Sequence, residues 1–250
     1  GTQRKTSLTA AVSTMKGQEI ASVPIANLSN GLGGRVSGVI VKQGLGEPEY
    51  DGSNIYIRGL SSTGASQPLL IVDGIPRSFQ HLDPNAIETF TVLKDAAAVA
   101  PYGVAGANGV ILVTTKKGKT GAPSLTYNGY VGFQNPVVLP QFVNSYQYAT
   151  LRNAAAANEG LPAAYTEEEL QKFQDGSDPD AYPTHNDIWG TITNKNALIT
   201  QHNVEVSGGS ERVKYYAALG YMLQEGMWKS SGITNTRRFN LTLNLDAQVT

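Results

Sequence analysis

Few residue sets in this chain have the types and spacing for covalent chemistry. Gly31-Leu32-Gly33-Gly34-Arg35-Val36 starts like a dinucleotide loop but lacks the third glycine that lets the helix pack closely. Gly118-Lys119-Thr120 ends like a phosphate-binding loop, yet Thr114 stands where the leading glycine belongs. Gly64-Ala65-Ser66-Gln67-Pro68 fails the nucleophile elbow at its last position. His81, His185 and His202 are scattered without metal-ligand spacing and read as loop or surface residues. There is no cysteine, which excludes disulfides, thiolate metal sites and a thiol nucleophile. No nucleophile, base and orienting group can be assembled from these pieces. The expectation is a protein without catalytic residues, metal or cofactor.

Composition then asks for strands and turns. Of 250 residues, 27 are Gly and 12 are Tyr, while only 16% are charged, against about 25% in an average soluble domain. That profile fits neither a disordered chain nor a coiled coil. A net charge of -1 removes any bulk electrostatic case for nucleic acid. Residues 1–25 have no charged start followed by an apolar block, so no signal peptide is expected. The start at Gly1-Thr2-Gln3, without Met, reads as mature or truncated. The stretch 96–115 is free of charge but carries Pro101, Gly103, Gly106 and Gly109, which break a helix from inside. It reads as a helix end, a turn and a strand at 110–115.

Two textures divide the chain. Residues 1–118 mix short strands and helical scraps, the pattern of a small α+β domain. Ile55 and Ile57 alternate on one face; the apolar run 68–72 ends at the turn pair Asp73-Gly74. Asp83-Pro84-Asn85 starts a helical turn, 88–93 alternates with Phe90 and Val92 on one side, and 94–99 is helical again.

From Ser124 onward alternation dominates. Leu125, Tyr127, Val131 and Phe133 share one face, opposite Thr126, Asn128 and Gln134. Tyr215, Leu219, Tyr221 and Leu223 stand opposite Lys214, Gly220 and Gln224; Leu241, Leu243 and Leu245 stand opposite Asn240, Thr242 and Asn244. Val204 and Val206 oppose Asn203 and Glu205 more weakly. Runs of roughly 9–12 residues suit strands tilted across a bilayer, and Tyr near the strand ends suits an aromatic girdle. A soluble β-sandwich alternates too, so the pattern alone leaves both open. Gly208-Gly209-Ser210-Glu211 is a short turn, as periplasmic turns are. Within the intervening long loop, at about 135–198, a helix is expected over Ser145–Asn158 with Tyr148, Leu151 and Ala155 on one face. A capping box at Thr166-Glu167-Glu168-Glu169 opens a second helix to about Phe173, and 175–187 reads as loop.

Several phrases stand in consistent order. They are Gly34-Arg35-Val36-Ser37-Gly38-Val39, Asn54-Ile55-Tyr56-Ile57-Arg58-Gly59, Leu70-Ile71-Val72-Asp73-Gly74-Ile75-Pro76, Leu82-Asp83-Pro84-Asn85-Ala86-Ile87-Glu88 and Ala107-Asn108-Gly109-Val110-Ile111-Leu112-Val113-Thr114-Thr115. Over residues 1–118 the chain resembles the plug domain of TonB-dependent outer-membrane transporters, in the SusC-like branch. Val204-Glu205-Val206-Ser207-Gly208-Gly209 and Gln224-Glu225-Gly226 are similar to the first barrel strands of that branch. Pro101-Tyr102-Gly103 and Ala105 depart from its usual Ile-Tyr-Gly and Arg.

The resemblance implies an α+β plug domain at 1–118. From 119–250 it implies the start of an antiparallel transmembrane β-barrel, of about 22 strands in relatives. The chain would then be part of a larger protein, with the TonB box upstream of Gly1. It implies TonB-dependent import of an oligosaccharide in the Gram-negative outer membrane. The implied partners are a SusD-like lipoprotein lid, the TonB complex in the periplasm and outer-membrane lipid, with a possible dimer of transporter–lid pairs and no nucleic acid. Oligopeptide import, a signalling receptor and a soluble β-rich adhesion module remain alternatives. Candidate ligand residues in apical plug loops are Ser61, Thr63, Gln67, Arg77, Phe79, Gln80 and Tyr102. Arg58 is the candidate plug–barrel contact.

Overall fold

Asp73 and Gly74 both adopt positive φ, 51° and 86°, the conformation a two-residue hairpin turn demands. The turn joins β4 (Leu69–Val72) to β5 (Ile75–Pro76). A computed structural model describes residues 12–57, 59, 67–184, 188–229 and 235–248. Arg58, Ser61, Thr63 and His185 lie outside the described residues.

The N-terminal region holds a five-stranded sheet. Its members are β1 (Val12–Lys16), β4, β5, β6 (Ile87–Leu93) and β7 (Val110–Thr115), in the order β1-β6-β7-β4-β5. Only β4 and β7 pair in parallel. β2 (Val39–Gln43) and β3 (Ser53–Ile57) form a separate antiparallel pair. Helix α1 (Gly17–Ala21), a 3-10 segment at Leu28–Leu32, another at Pro84–Ala86 and helix α2 (Ala96–Val99) fill the connections. Phe90, Val92, Ile111 and Val113 meet Ile20, Leu28, Leu32 and Phe79 in one core.

The alternation at 53–57 and 87–93 is realised: Ile55, Ile57, Phe90 and Val92 are all buried. β1, α1 and β2 carry no comparable pattern. β1 buries only Met15 and β2 only Val39, so neither shows a buried period of two.

The second half supplies β8 (Gly121–Gln134), β9 (Ala197–Gly209), β10 (Val213–Gln224) and β11 (Thr236–Ala247). They make one sheet in the order β11-β10-β9-β8, antiparallel between β9, β10 and β11. The strands are 12 to 14 residues long, sufficient to span a hydrocarbon layer at the usual tilt. No helix among the described residues is long and apolar enough to cross a membrane.

The described chain divides into two compact units. One joins 1–133 with 197–226 and 233–250; the other comprises 134–196 and 227–232. The second unit holds α3 (Ser145–Asn158), α4 (Glu167–Asp175) and α5 (Ile188–Ile192). Tyr148, Leu151 and Ala155 of α3 share an exposed face, with Tyr148 and Leu151 56% and 59% exposed, while Ala149 is buried. The side chain of Asn153 ties α3 to the segment that follows it. It accepts from Tyr165 N–H at 2.9 Å and donates to Tyr165 C=O at 2.7 Å. Phe173 then packs edge-on against both Tyr165 and Tyr182.

Candidate functional site

The alternation of β9–β11 sorts side chains by chemistry. On β10 the even residues Tyr216, Ala218, Gly220, Met222 and Gln224 are buried against the N-terminal region. The opposite face carries Leu219, Leu241, Leu243 and Leu245, each at least 58% exposed. Tyr221 packs on Phe239 at one end of that face, and Tyr215 stands at the other, an arrangement that fits aromatic girdles at membrane interfaces. An outer band this apolar is costly in water and favourable in lipid.

The inner face is polar, and its groups are paired. Asp83 is 4% exposed. Its carboxylate caps the Pro84–Ala86 turn by accepting from Asn85 N–H at 2.8 Å. It also accepts from Gln201 at 3.2 Å and from Asn203 at 2.7 Å, both on β9. Gly220 on β10 makes room for it: a Cβ there would lie 2.3 Å from Asp83 Oδ2.

Glu205, Tyr216 and Asn244 form a second cluster with the end of β7. Lys116 Nζ donates to both oxygens of Glu205 at 3.0 Å, and the Tyr216 hydroxyl donates to Glu205 at 2.8 Å. Asn244 donates to Thr115 Oγ1 at 3.0 Å and to Lys116 C=O at 2.6 Å. Thr115 in turn donates to Asp73. Higher on the same face, Asn240 donates to His81 C=O at 2.7 Å and Arg238 to Ala26 C=O at 2.6 Å. Asp51 sits nearby, and burial raises its carboxyl above the usual carboxylate range despite a donor from Asn27.

The expected ligand residues are not gathered into one site. Gln67 donates to Asn54 at 2.9 Å, Arg77 is exposed, and Gln80 is half-buried with its C=O accepting from Leu28 N–H. Tyr102 packs beside Val99 and Val110. Phe79 requires a correction: it is fully buried, edge-on to Phe90 at 5.4 Å, so its ring belongs to the core and cannot stack on a ligand. Sequence reasoning identified the polar face carrying Asn203, Glu205, Asn240 and Asn244. It did not identify Asp83 and Lys116 as partners of that face, because the pairs span more than 85 residues of chain.

Comparison with known proteins agrees with this arrangement. Residues 4–110 match the family described as TonB-dependent Receptor Plug Domain. The chain is 35% identical over 258 residues to TonB-dependent receptor P26 of Formosa agariphila, covering 100% of this chain and 24% of that protein. It is 34% identical over 257 residues to TonB-dependent receptor SusC of Bacteroides thetaiotaomicron, covering 98% and 23%. Among solved structures, the RagAB peptide importer in its closed-closed state superposes with a TM-score of 0.79 at 28% identity, over 98% of this chain and 29% of that one. The siderophore receptor PirA of Pseudomonas aeruginosa, at 18% identity and a TM-score of 0.53, shares the fold. The chain thus spans about a quarter of the length of the curated relatives it matches. With an α+β layer seated on the polar face of antiparallel strands, it belongs to the SusC-like branch of the TonB-dependent receptor family, as a plug domain and the opening strands of a barrel.

Proposed function

We propose that this chain is the occluding plug, 1–118, and the first wall segment, 119–250, of an outer-membrane importer driven by the TonB complex. The observation that carries the reading is the division of β9–β11 into a leucine face turned outward and an amide-rich face hydrogen-bonded to the plug. A barrel wide enough to pass an oligomer leaks unless its lumen is filled. A plug held by hydrogen bonds rather than by a large apolar interface fills it and can still be displaced.

The cargo we propose is an oligosaccharide, delivered beneath a SusD-like lipoprotein lid, with dimers of transporter–lid pairs. This follows the likeness to SusC-like receptors. Oligopeptide import is the second reading, favoured by the likeness to a structure described as a peptide importer. Gln67, Arg77, Gln80 and Tyr102, with Ser61 and Thr63, stay proposed as contacts of plug loops with cargo, and Arg58 as a plug–barrel contact. Purification of the full-length receptor in mild detergent, with mass spectrometry of what co-purifies, tests both readings. A surface lipoprotein and bound glycan are expected. Bound peptide would shift the cargo to the second reading, and a monomer stable in water without detergent would overturn the membrane assignment.

A further inference from the structure

The plug is docked on one side of the strand segment only. Along β9 and β11, Gln201, Asn203, Glu205, Arg238, Asn240 and Asn244 each bond to the plug. Along β8 the pattern stops. Its lumen-facing residues by alternation are Thr126, Asn128 and Tyr130, and among the described residues none of their side chains bonds to the plug. Instead they line a cleft of about 670 Å³, with Gln18, Ser22 and Asn85 on the opposite wall. That volume lies within the ~300–1,000 Å³ usual for a binding site. The Tyr130 hydroxyl is buried there without a hydrogen-bond partner. The lining mixes these amides and hydroxyls with the apolar side chains of Val23, Pro24, Ile87 and Val131; the charges on it, Lys116 and Glu205, pair with each other.

We propose that this cleft is the passage for an uncharged oligosaccharide, and that the plug swings away from β8 while β9–β11 keep hold of it. The inference rests on the importer reading above and adds which side opens. A wall of neutral amides and hydroxyls set among apolar side chains can exchange hydrogen bonds with sugar hydroxyls and pack against sugar C–H faces without stripping water from an unpaired charge. On the docked side the same movement would break the polar contacts of all six bonded residues, the Lys116–Glu205 pair among them. On the β8 side it breaks none made by these three residues.

The test uses the full-length receptor in its own outer membrane. Ser22→Cys with Asn128→Cys is bridged by a bis-thiol reagent that contains a cleavable disulfide. Ala86→Cys with Ala218→Cys is oxidised on the docked side, where those alanines share one cluster. The bridge across the cleft should cut oligosaccharide uptake at least ten-fold and release it on reduction. The docked-side link should leave uptake within two-fold. Block by both links, by neither, or by the docked-side link alone overturns the proposal. A second readout does not need transport: maleimide labelling of single cysteines before and after energising the membrane. Asn85→Cys should label at least ten-fold faster on energisation, and His81→Cys less than two-fold faster. That result without sugar uptake keeps the opening side and rejects the cargo; equal acceleration at both positions rejects the opening side.

Discussion

Asp83 shows how much one side chain can hold. Its carboxylate caps a turn of the plug and accepts from two β9 amides in a site closed to water. Removal leaves buried donors unpaired, at about 1–3 kcal/mol for each group. Asp83→Ala should raise amide exchange at Asn85 and Ala86 and lower the plug's thermal midpoint in detergent. Gly220→Ala should give the same signature, because the added methyl enters the space of Asp83 Oδ2. The two changes combined should fall well short of additive, since both act on one contact; a fully additive pair would mean that Gly220 acts elsewhere. Phe79 makes the opposite case. In sequence, an aromatic between Arg77 and Gln80 looks like a ligand platform. In the fold it is a core ring, so Phe79→Ala should cost the plug about 3–5 kcal/mol. Ligand affinity per folded molecule, measured by titration on the folded fraction, should not change.

Elements were legible where one local rule sufficed. Thr166 accepts from Glu169 N–H at 3.3 Å and Glu169 accepts from Thr166 N–H at 2.7 Å, the reciprocal pair that the Thr-x-x-Glu spacing announces. The Asp73-Gly74 turn and the faces of β10 and β11 were equally plain, because each depends on neighbours in sequence. β1, β2 and the inner face of α3 were not legible. Their burial is set by partners far along the chain, such as β6 against β1 and Tyr165 against Asn153. The capping box also yields a pH prediction. Hydrogen bonds from Thr166 N–H and Oγ1 hold the Glu169 carboxyl below its ordinary value of 4.5. A depressed carboxyl stabilises above its unfolded value and loses that contribution as pH falls through the folded one. Protection factors of the first α4 amides should therefore be flat from neutrality to about pH 5 and decline below 4.5. Thr166→Ala should lower them at neutral pH, by about 1 kcal/mol, and flatten the acid decline. On β11, Leu243→Arg places a charge near mid-strand on the outer face. It should reduce the heat-modifiable folded fraction in membranes, consistent with about 2–4 kcal/mol at a bilayer midplane; Thr242→Ser, facing the lumen, should not.

At the scale of the molecule, the site is the fit between two regions that sequence reading described one at a time. The polar face of β9 was visible as a period of two, and Lys116 was visible as the end of the α+β region. Their meeting was not, because a pair separated by 89 positions leaves no local trace. That meeting is where occlusion can be measured. Lys116 and Glu205 are 24% and 13% exposed, so the pair is only weakly screened by solvent. Tyr216 and Asn244 hold the same corner. Glu205→Gln removes the charge but keeps the shape, and hydrogen bonds to a charged group contribute about 1.5–3 kcal/mol. The docked plug should then be destabilised by that amount, a roughly ten- to hundred-fold larger displaced population. In planar bilayers the full-length receptor with Glu205→Gln should show more frequent conductance steps than the parent. Lys116→Glu combined with Glu205→Lys should suppress them again, because the reversed pair restores the attraction and the Tyr216 oxygen can accept from a lysine. If the single variant conducts no more than the parent, the ion pair does not hold the plug shut. If the reversed pair leaks as much as the single variant, the corner depends on the shape of the original side chains rather than on their opposite charges.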